Sequence, residues 1–180
     1  MNVLLNFARN RRGASAVEFA LIAPFILVFY FGLTDLCQAL LAERRVNHVA
    51  AAVGDLITQD EDTSVSELND MFKIGSVILA PFPPSSLRVV TTHVTANAQG
   101  TPIVDWSRGY NGEAPKSKGG TLTLPAELTL NTNDSVLVTE AKYTYDSPFG
   151  FFIPEGITFH ETSYLRPRRS AKVTCLNNCQ

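Results

Sequence analysis

The chain reads as an α+β protein: a long N-terminal membrane-spanning helix followed by a small antiparallel β-rich globular domain. Three observations predict this. The run Ala20–Leu33 is apolar from end to end, as a helix surrounded by hydrocarbon must be. Val46, Val49, Ala50, Val53 and Ile57 then recur at helical spacing on one side only. Beyond Pro81, Pro83 and Pro84 the texture changes to valine- and threonine-rich segments with strand alternation. With 180 residues there is room for one membrane helix and one modest domain.

The helix is expected over residues 14–58, with Gln59 and Asp60 ending it. Phe19–Thr34 carries no charge, and from Glu18 to Asp35 a helix rises ~26 Å at 1.5 Å per residue, close to the ~30 Å of bilayer hydrocarbon. These two carboxylates bracket the apolar stretch, and the span as a whole is placed at about 18–41. Past it, Arg44, His48 and Asp55 lie away from the apolar stripe, so the helix becomes amphipathic. Pro24 removes one backbone hydrogen bond within the span and predicts a bend about one turn upstream. Ala16, Ala20 and Ala23 offer small residues for close approach of another helix, although alanine is also common in plain anchors.

Net charge is −2 and the pI about 5.9, but the charge is segregated. Arg9, Arg11 and Arg12 precede the helix, whereas Asp55, Asp60, Glu61 and Asp62 follow the span. The positive-inside rule therefore places the N-terminus in the cytoplasm and the domain, residues 59–180, across the membrane. No continuous basic stripe is present to follow a phosphate backbone, which argues against nucleic acid as a partner. A cleaved signal peptide fits poorly, because the apolar run lacks a small-x-small exit site and Ala23 is followed by Pro24.

Within the domain, residues 66–79 predict a short helix capped by Ser64 or Ser66, with Leu68, Met71, Phe72, Val77 and Ile78 as apolar contacts. Strands are expected at 87–96, 136–145 and 156–165, with a further one at 101–107. The segment 109–120, containing Asn111-Gly112, Pro115 and Gly119-Gly120, predicts a long exposed loop. The sheet is expected to pack on the outer half of the long helix.

The junction Arg11-Arg12-Gly13-Ala14-Ser15-Ala16-Val17-Glu18-Phe19 is the candidate functional motif. A charge near hydrocarbon costs roughly 2.5–3.5 kcal/mol on insertion scales, so keeping Glu18 there needs a compensating interaction. If a peptidase cuts after Gly13, Ala14 gains an α-ammonium and Glu18 becomes the fifth residue of the mature chain. In stacked parallel helices that carboxylate can meet a neighbour's new amino terminus in a weakly screened setting. An ordinary single-pass anchor with a snorkelling glutamate also accounts for these residues.

Gly13-Ala14-Ser15-Ala16-Val17-Glu18-Phe19, followed by an apolar helix with an early proline, resembles the TadE-like minor pseudopilins of the tight-adherence (Tad) pilus, within the TadE/TadF/TadG group. The resemblance implies a prepilin leader at 1–13, cleavage between Gly13 and Ala14 by a prepilin peptidase, and a role for Glu18 and Phe19 in subunit register. It implies single-pass insertion in the inner membrane with a periplasmic or extracellular domain. The implied partners are that peptidase, other pilins and pseudopilins, the inner-membrane assembly platform and the lipid bilayer. A part in pilus biogenesis and adhesion follows; the alternative is a permanently anchored scaffold for pilus or secretion assembly that never polymerises. More weakly, Tyr143-Thr144-Tyr145 before Pro148 and the later Tyr164-Leu165-Arg166-Pro167-Arg168 are similar to the C-terminal region of TadE-like and TadG-like proteins.

No catalytic constellation is visible, and neither a cofactor nor a small-molecule substrate is expected. His48, His93 and His160 stand too far apart for a metal site on one element. Cys175 and Cys179 can close a small disulfide loop outside the cytoplasm; as zinc ligands they fall short of four. Cys37 is expected to pack as a small apolar residue. Asp60, Glu61 and Asp62 read as a solvated helix terminus. Arg166, Arg168 and Arg169 read either as a solvated strand end or as a contact for a partner or headgroups. Trp106, Phe149, Phe151 and Phe152 read as core or as an exposed docking patch.

Overall fold

The computed structural model describes residues 13–148, 150, 153–177 and 179. The leader arginines Arg9, Arg11 and Arg12 and the aromatics Phe149, Phe151 and Phe152 therefore lie outside the described residues.

Helix α1 runs Ala14–Thr58 without interruption through Pro24. Its first half is exposed on nearly every side, and its second half buries Ala39, Ala42, Val46, Val49, Ala50, Val53 and Ile57. The switch follows the residue pattern directly, since apolar side chains all round give way to a single apolar stripe. After the two-residue strand β1 (Asp62–Thr63) comes helix α2 (Val65–Ile78). Ser64 caps it in a reciprocal box: the Glu67 N–H donates to Ser64 Oγ at 3.4 Å, and the Ser64 N–H donates to Glu67 Oε2 at 2.8 Å. Leu68 and Phe72 point into the core, whereas Val77, expected to pack there, is 75% exposed. It lies on the side of α2 turned away from α1. On the facing side, a Cβ at Gly75 would come within 3.1 Å of both Val49 and Val53, so glycine lets the two helices close up.

The sheet has strand order β3-β2-β4-β5, all antiparallel, formed by β2 (Arg88–Ala96), β3 (Pro102–Tyr110), β4 (Ser135–Tyr145) and β5 (Ile157–Leu165). One face sets Val89, Leu137, Ala141 and Tyr143 against α1 and α2. The other carries Val94, Val104, Val136 and Val138 beneath Leu122, Leu124, Leu128 and Leu130. The exposed loop expected at 109–120 is thus the start of a strap that covers the back of the sheet and the β3 edge. The Val104 N–H donates to Gly120 O at 2.9 Å and the Gly119 N–H to Val104 O at 2.8 Å. Lys116–Glu140, at 3.1 Å, and Lys142–Glu113 tie the strap to β4. Glycines and prolines signalled the turns, but the alternating leucines after them supply the apolar face that keeps the segment down.

The C-terminal segment returns across the end of α1. The Arg168 N–H donates to Thr58 O at 3.1 Å, and strand β6 (Thr174–Cys175) pairs parallel with β1, Asp62 opposite Thr174. Ile57, fully buried where helix, sheet and this return meet, is a sensitive point. Ile57→Ala is expected to lower unfolding free energy by about 2–5 kcal/mol, read by denaturant titration in detergent. Gly109→Ala is expected to destabilise as well, because its Cβ would fall 1.8 Å from the Glu113 carbonyl oxygen.

Candidate functional site

The N-terminal half of α1 is the largest unexplained surface of the molecule. Phe19 is 70% exposed, and Leu21, Ile22, Phe25, Ile26, Leu27, Val28 and Phe29 also stand free of the domain. An apolar surface of this extent is not stable in water and requires lipid or protein around it. By length and composition α1 can cross a membrane. The Thr34 hydroxyl at the end of this stretch is satisfied within the helix, its Oγ1 donating to Tyr30 O at 2.9 Å.

Gly13 sits at the boundary of this helix. It is exposed, no described residue lies within 4 Å of the position a Cβ would occupy, and α1 starts at Ala14. Among the described residues no side chain caps this end and the first turn holds no acidic group, so none of them sets an anion against the N–H groups and positive pole of the helix terminus at that level. Glu18 and Phe19 follow one turn later, both exposed. Glu18 carries the one charge between Gly13 and Asp35.

Asp35, the second bracketing carboxylate, has a different setting from the one its place in the sequence suggests. It is 1% exposed and lies beneath the domain, where Ser147 Oγ donates to its Oδ1 at 2.7 Å. Its Oδ2 and the Tyr145 hydroxyl are both buried without a hydrogen-bond partner among the described residues. Burial, then the nearby Asp35 and Tyr143, raise the Tyr145 pKa. Asp35 is therefore the pin of a collar at which the domain grips the helix.

A second polar cluster lies inside the domain, and no sequence motif announced it. His93 Nδ1 is 2.9 Å from Asp105 Oδ2, and the Val173 N–H donates to His93 Nε2 at 3.2 Å. Because Nε2 accepts, the proton of the neutral ring sits on Nδ1 and is donated to Asp105. Trp106 stacks on this imidazole at 5.8 Å and donates its indole N–H to Val173 O at 2.8 Å. Both backbone groups of Val173 are thus clamped, and neither imidazole nitrogen is left to act as a base. The cluster is a latch for the C-terminal segment, and Trp106, 5% exposed, is core rather than a docking patch. Burial pushes the Asp105 carboxyl up, but hydrogen bonds from His93 and Thr95 and the charge of Lys172 outweigh it and leave the pKa lowered.

The other candidates divide between structural use and free surface. Cys175 and Cys179 are disulfide-bonded beside the latch. Arg168 pairs with Asp55, and Arg166 reaches Asp134 at 3.6 Å, so these two arginines of the basic cluster hold the returning chain. Asp60, Glu61 and Asp62 are exposed. Cys37, expected to be packed, is exposed on the side of α1 away from the domain. Among the described residues, no three His, Cys, Asp or Glu side chains converge as a metal site would need.

Residues 13–55 match the family model described as TadE-like protein. The match opens at Gly13 and ends within α1, short of the β-domain. No curated protein and no solved structure matches the chain.

Two measurements probe these clusters. A group whose folded pKa is depressed stabilises the fold above its unfolded value and loses that contribution as pH falls through the folded one. The melting temperature is therefore expected to drop on acidification below the ordinary carboxylate range, with Asp105→Asn flattening part of that decline. Trp106→Phe, which leaves the Val173 carbonyl without its buried donor, is expected to cost about 1–3 kcal/mol and to expose the C-terminal segment to limited proteolysis.

Proposed function

We propose that the chain is a minor pseudopilin acting in Tad pilus biogenesis and adhesion. It inserts in the inner membrane with its N-terminus in the cytoplasm, and a prepilin peptidase cuts it between Gly13 and Ala14. It then joins other pilins and pseudopilins at the assembly platform through the exposed half of α1. In this reading it is the substrate of an enzyme and catalyses nothing itself. The observation that carries the proposal is the coincidence of two boundaries at one bond, with a carboxylate beside it: the family match opens at Gly13, α1 begins at Ala14, and Glu18 stands one turn further along.

Cleavage adds an ammonium to a helix terminus already positive from its free N–H groups. Glu18, alone in an apolar surface, supplies the opposite charge. Paired between adjacent parallel helices, the two sites set axial register, since a shift of one turn separates the charges by ~5.4 Å. Phe19 and the apolar residues beyond it supply the surrounding contact. The β-domain, outside the matched region, provides whatever distinguishes this subunit from its neighbours.

Mass spectrometry of the membrane-fraction protein is expected to find Ala14 as the first residue when the peptidase is present and the intact leader when it is absent. Leader retention in both strains rejects processing. Glu18→Ala is expected to be cleaved normally yet to enter sheared fibres at least about tenfold less, the factor that ~1.4 kcal/mol of lost pairing produces. Wild-type protein that remains with the membrane and is missing from sheared fibres would instead identify a permanently anchored scaffold.

A further inference from the structure

We infer that the domain does not stand clear of the bilayer but rests partly in it, with Pro148 and Ile153 between β4 and β5 and the Pro81–Pro84 turn seated among the lipids of the domain-side leaflet. The inference depends on α1 spanning the membrane and goes beyond that reading by assigning lipid as the partner of the domain's lower rim.

Two observations on opposite sides of α1 lead to it. On the side away from the domain, Leu40 and Leu41 stay exposed and apolar beyond Asp35, and charge returns only at Glu43 and Arg44. From Phe19 to Leu41 the helix rises ~33 Å, which matches the ~30 Å hydrocarbon thickness with a slight tilt. The shorter interval ending at Asp35 would leave these leucines in water. If hydrocarbon reaches Leu41 on one side, the domain side at the same depth is also within the leaflet.

On that domain side, Ile153 lines one groove together with Phe25, Phe29 and Leu33 of α1. Asp35 and Leu36, at the upper end of the same groove, lie ~8–9 Å below Leu41 along the helix, a depth typical of segments seated at the headgroup–acyl boundary. The chain that delivers Ile153 has no charge between Asp146 and Glu155, both of which are exposed at its two ends. Beside it, Pro81 and Pro83 are exposed at the level of Gln38, with which they line a second groove. An uncharged rim flanked by carboxylates fits an interfacial seat. The same placement explains Asp35: a carboxylate at this depth has to be roofed by protein, and Ser147 at the base of the connection donates to it.

The test uses the full-length protein, with Cys37→Ser to remove the free thiol, in vesicles of phosphatidylethanolamine and phosphatidylglycerol. An environment-sensitive fluorophore is attached at Ile153→Cys, at the exposed Pro148→Cys, at Val28→Cys within the span and at Glu127→Cys on the far strap. Near-ultraviolet circular dichroism confirms that each variant is folded. The expected result is that labels at 153, 148 and 28 lose emission to phosphatidylcholine brominated high on its acyl chains and are spared by aqueous iodide, with the opposite at 127. If 28 responds to bromolipid while 153 and 148 respond to iodide, the domain stands clear of the lipid and the inference fails with the span intact. If 153 is shielded from both quenchers, protein fills the groove and lipid is the wrong partner. If 28 itself ignores bromolipid, the span reading falls and takes this inference with it.

Discussion

A single helix has to satisfy two solvents in succession, and the rest of the molecule is arranged around that constraint. In hydrocarbon the backbone polar groups must be paired internally, as a helix pairs them apart from the one bond that Pro24 forgoes, and the Thr34 hydroxyl turns back on the Tyr30 carbonyl. Two turns past the apolar run the same helix has become the central rod of a globular core, burying Val46, Val49, Val53 and Ile57. The transition point is Asp35, a carboxylate that neither solvent would tolerate bare. Placing it under the domain with a hydroxyl donor lets a polar residue mark the boundary and lock the two halves together.

The domain in turn depends on α1. Its sheet is too small to close on itself, and its two apolar faces need covers: α1 with α2 on one side, and the leucine strap on the other. The returning C-terminal segment then ties the far end of α1 to β1 through Arg168, Thr174 and the Val173 latch. Movement of the helix in an assembly would consequently carry the domain with it rather than leave it trailing on a linker. That coupling suits a subunit whose anchor is proposed to change surroundings from lipid to fibre.

Confinement of the family match to residues 13–55 is physically sensible in this light. The chemistry that a peptidase and a neighbouring helix would read resides in Gly13, Ala14, Glu18 and the apolar surface beyond. The β-domain has only to fold stably on the outer half of α1, a demand that many sequences can meet. Its particular surface is free to differ.

The sequence alone was enough to determine the elements governed by local periodicity and capping. It placed α1 at 14–58, identified the Ser64 cap of α2 as one of two choices, located β2, β4 and β5 to within a residue at each end and β3 three residues short at its C-terminal end, and isolated Glu18 as the lone charge in the span. What depended on contacts distant in sequence was decided only by the tertiary structure. Asp35 could be read from its position only as the far bracket of the apolar stretch; its burial under Ser147, far along the chain, is a tertiary contact. The strap was hidden because turn residues are read before the leucines that follow them, and the alternation from Thr121 to Leu130 becomes meaningful only over a sheet with an uncovered face. The His93 latch had no signature at all, since cross-strand register and a returning backbone create it. Periodicity reports which side of an element is apolar; which element meets that side is settled by the packing of the whole.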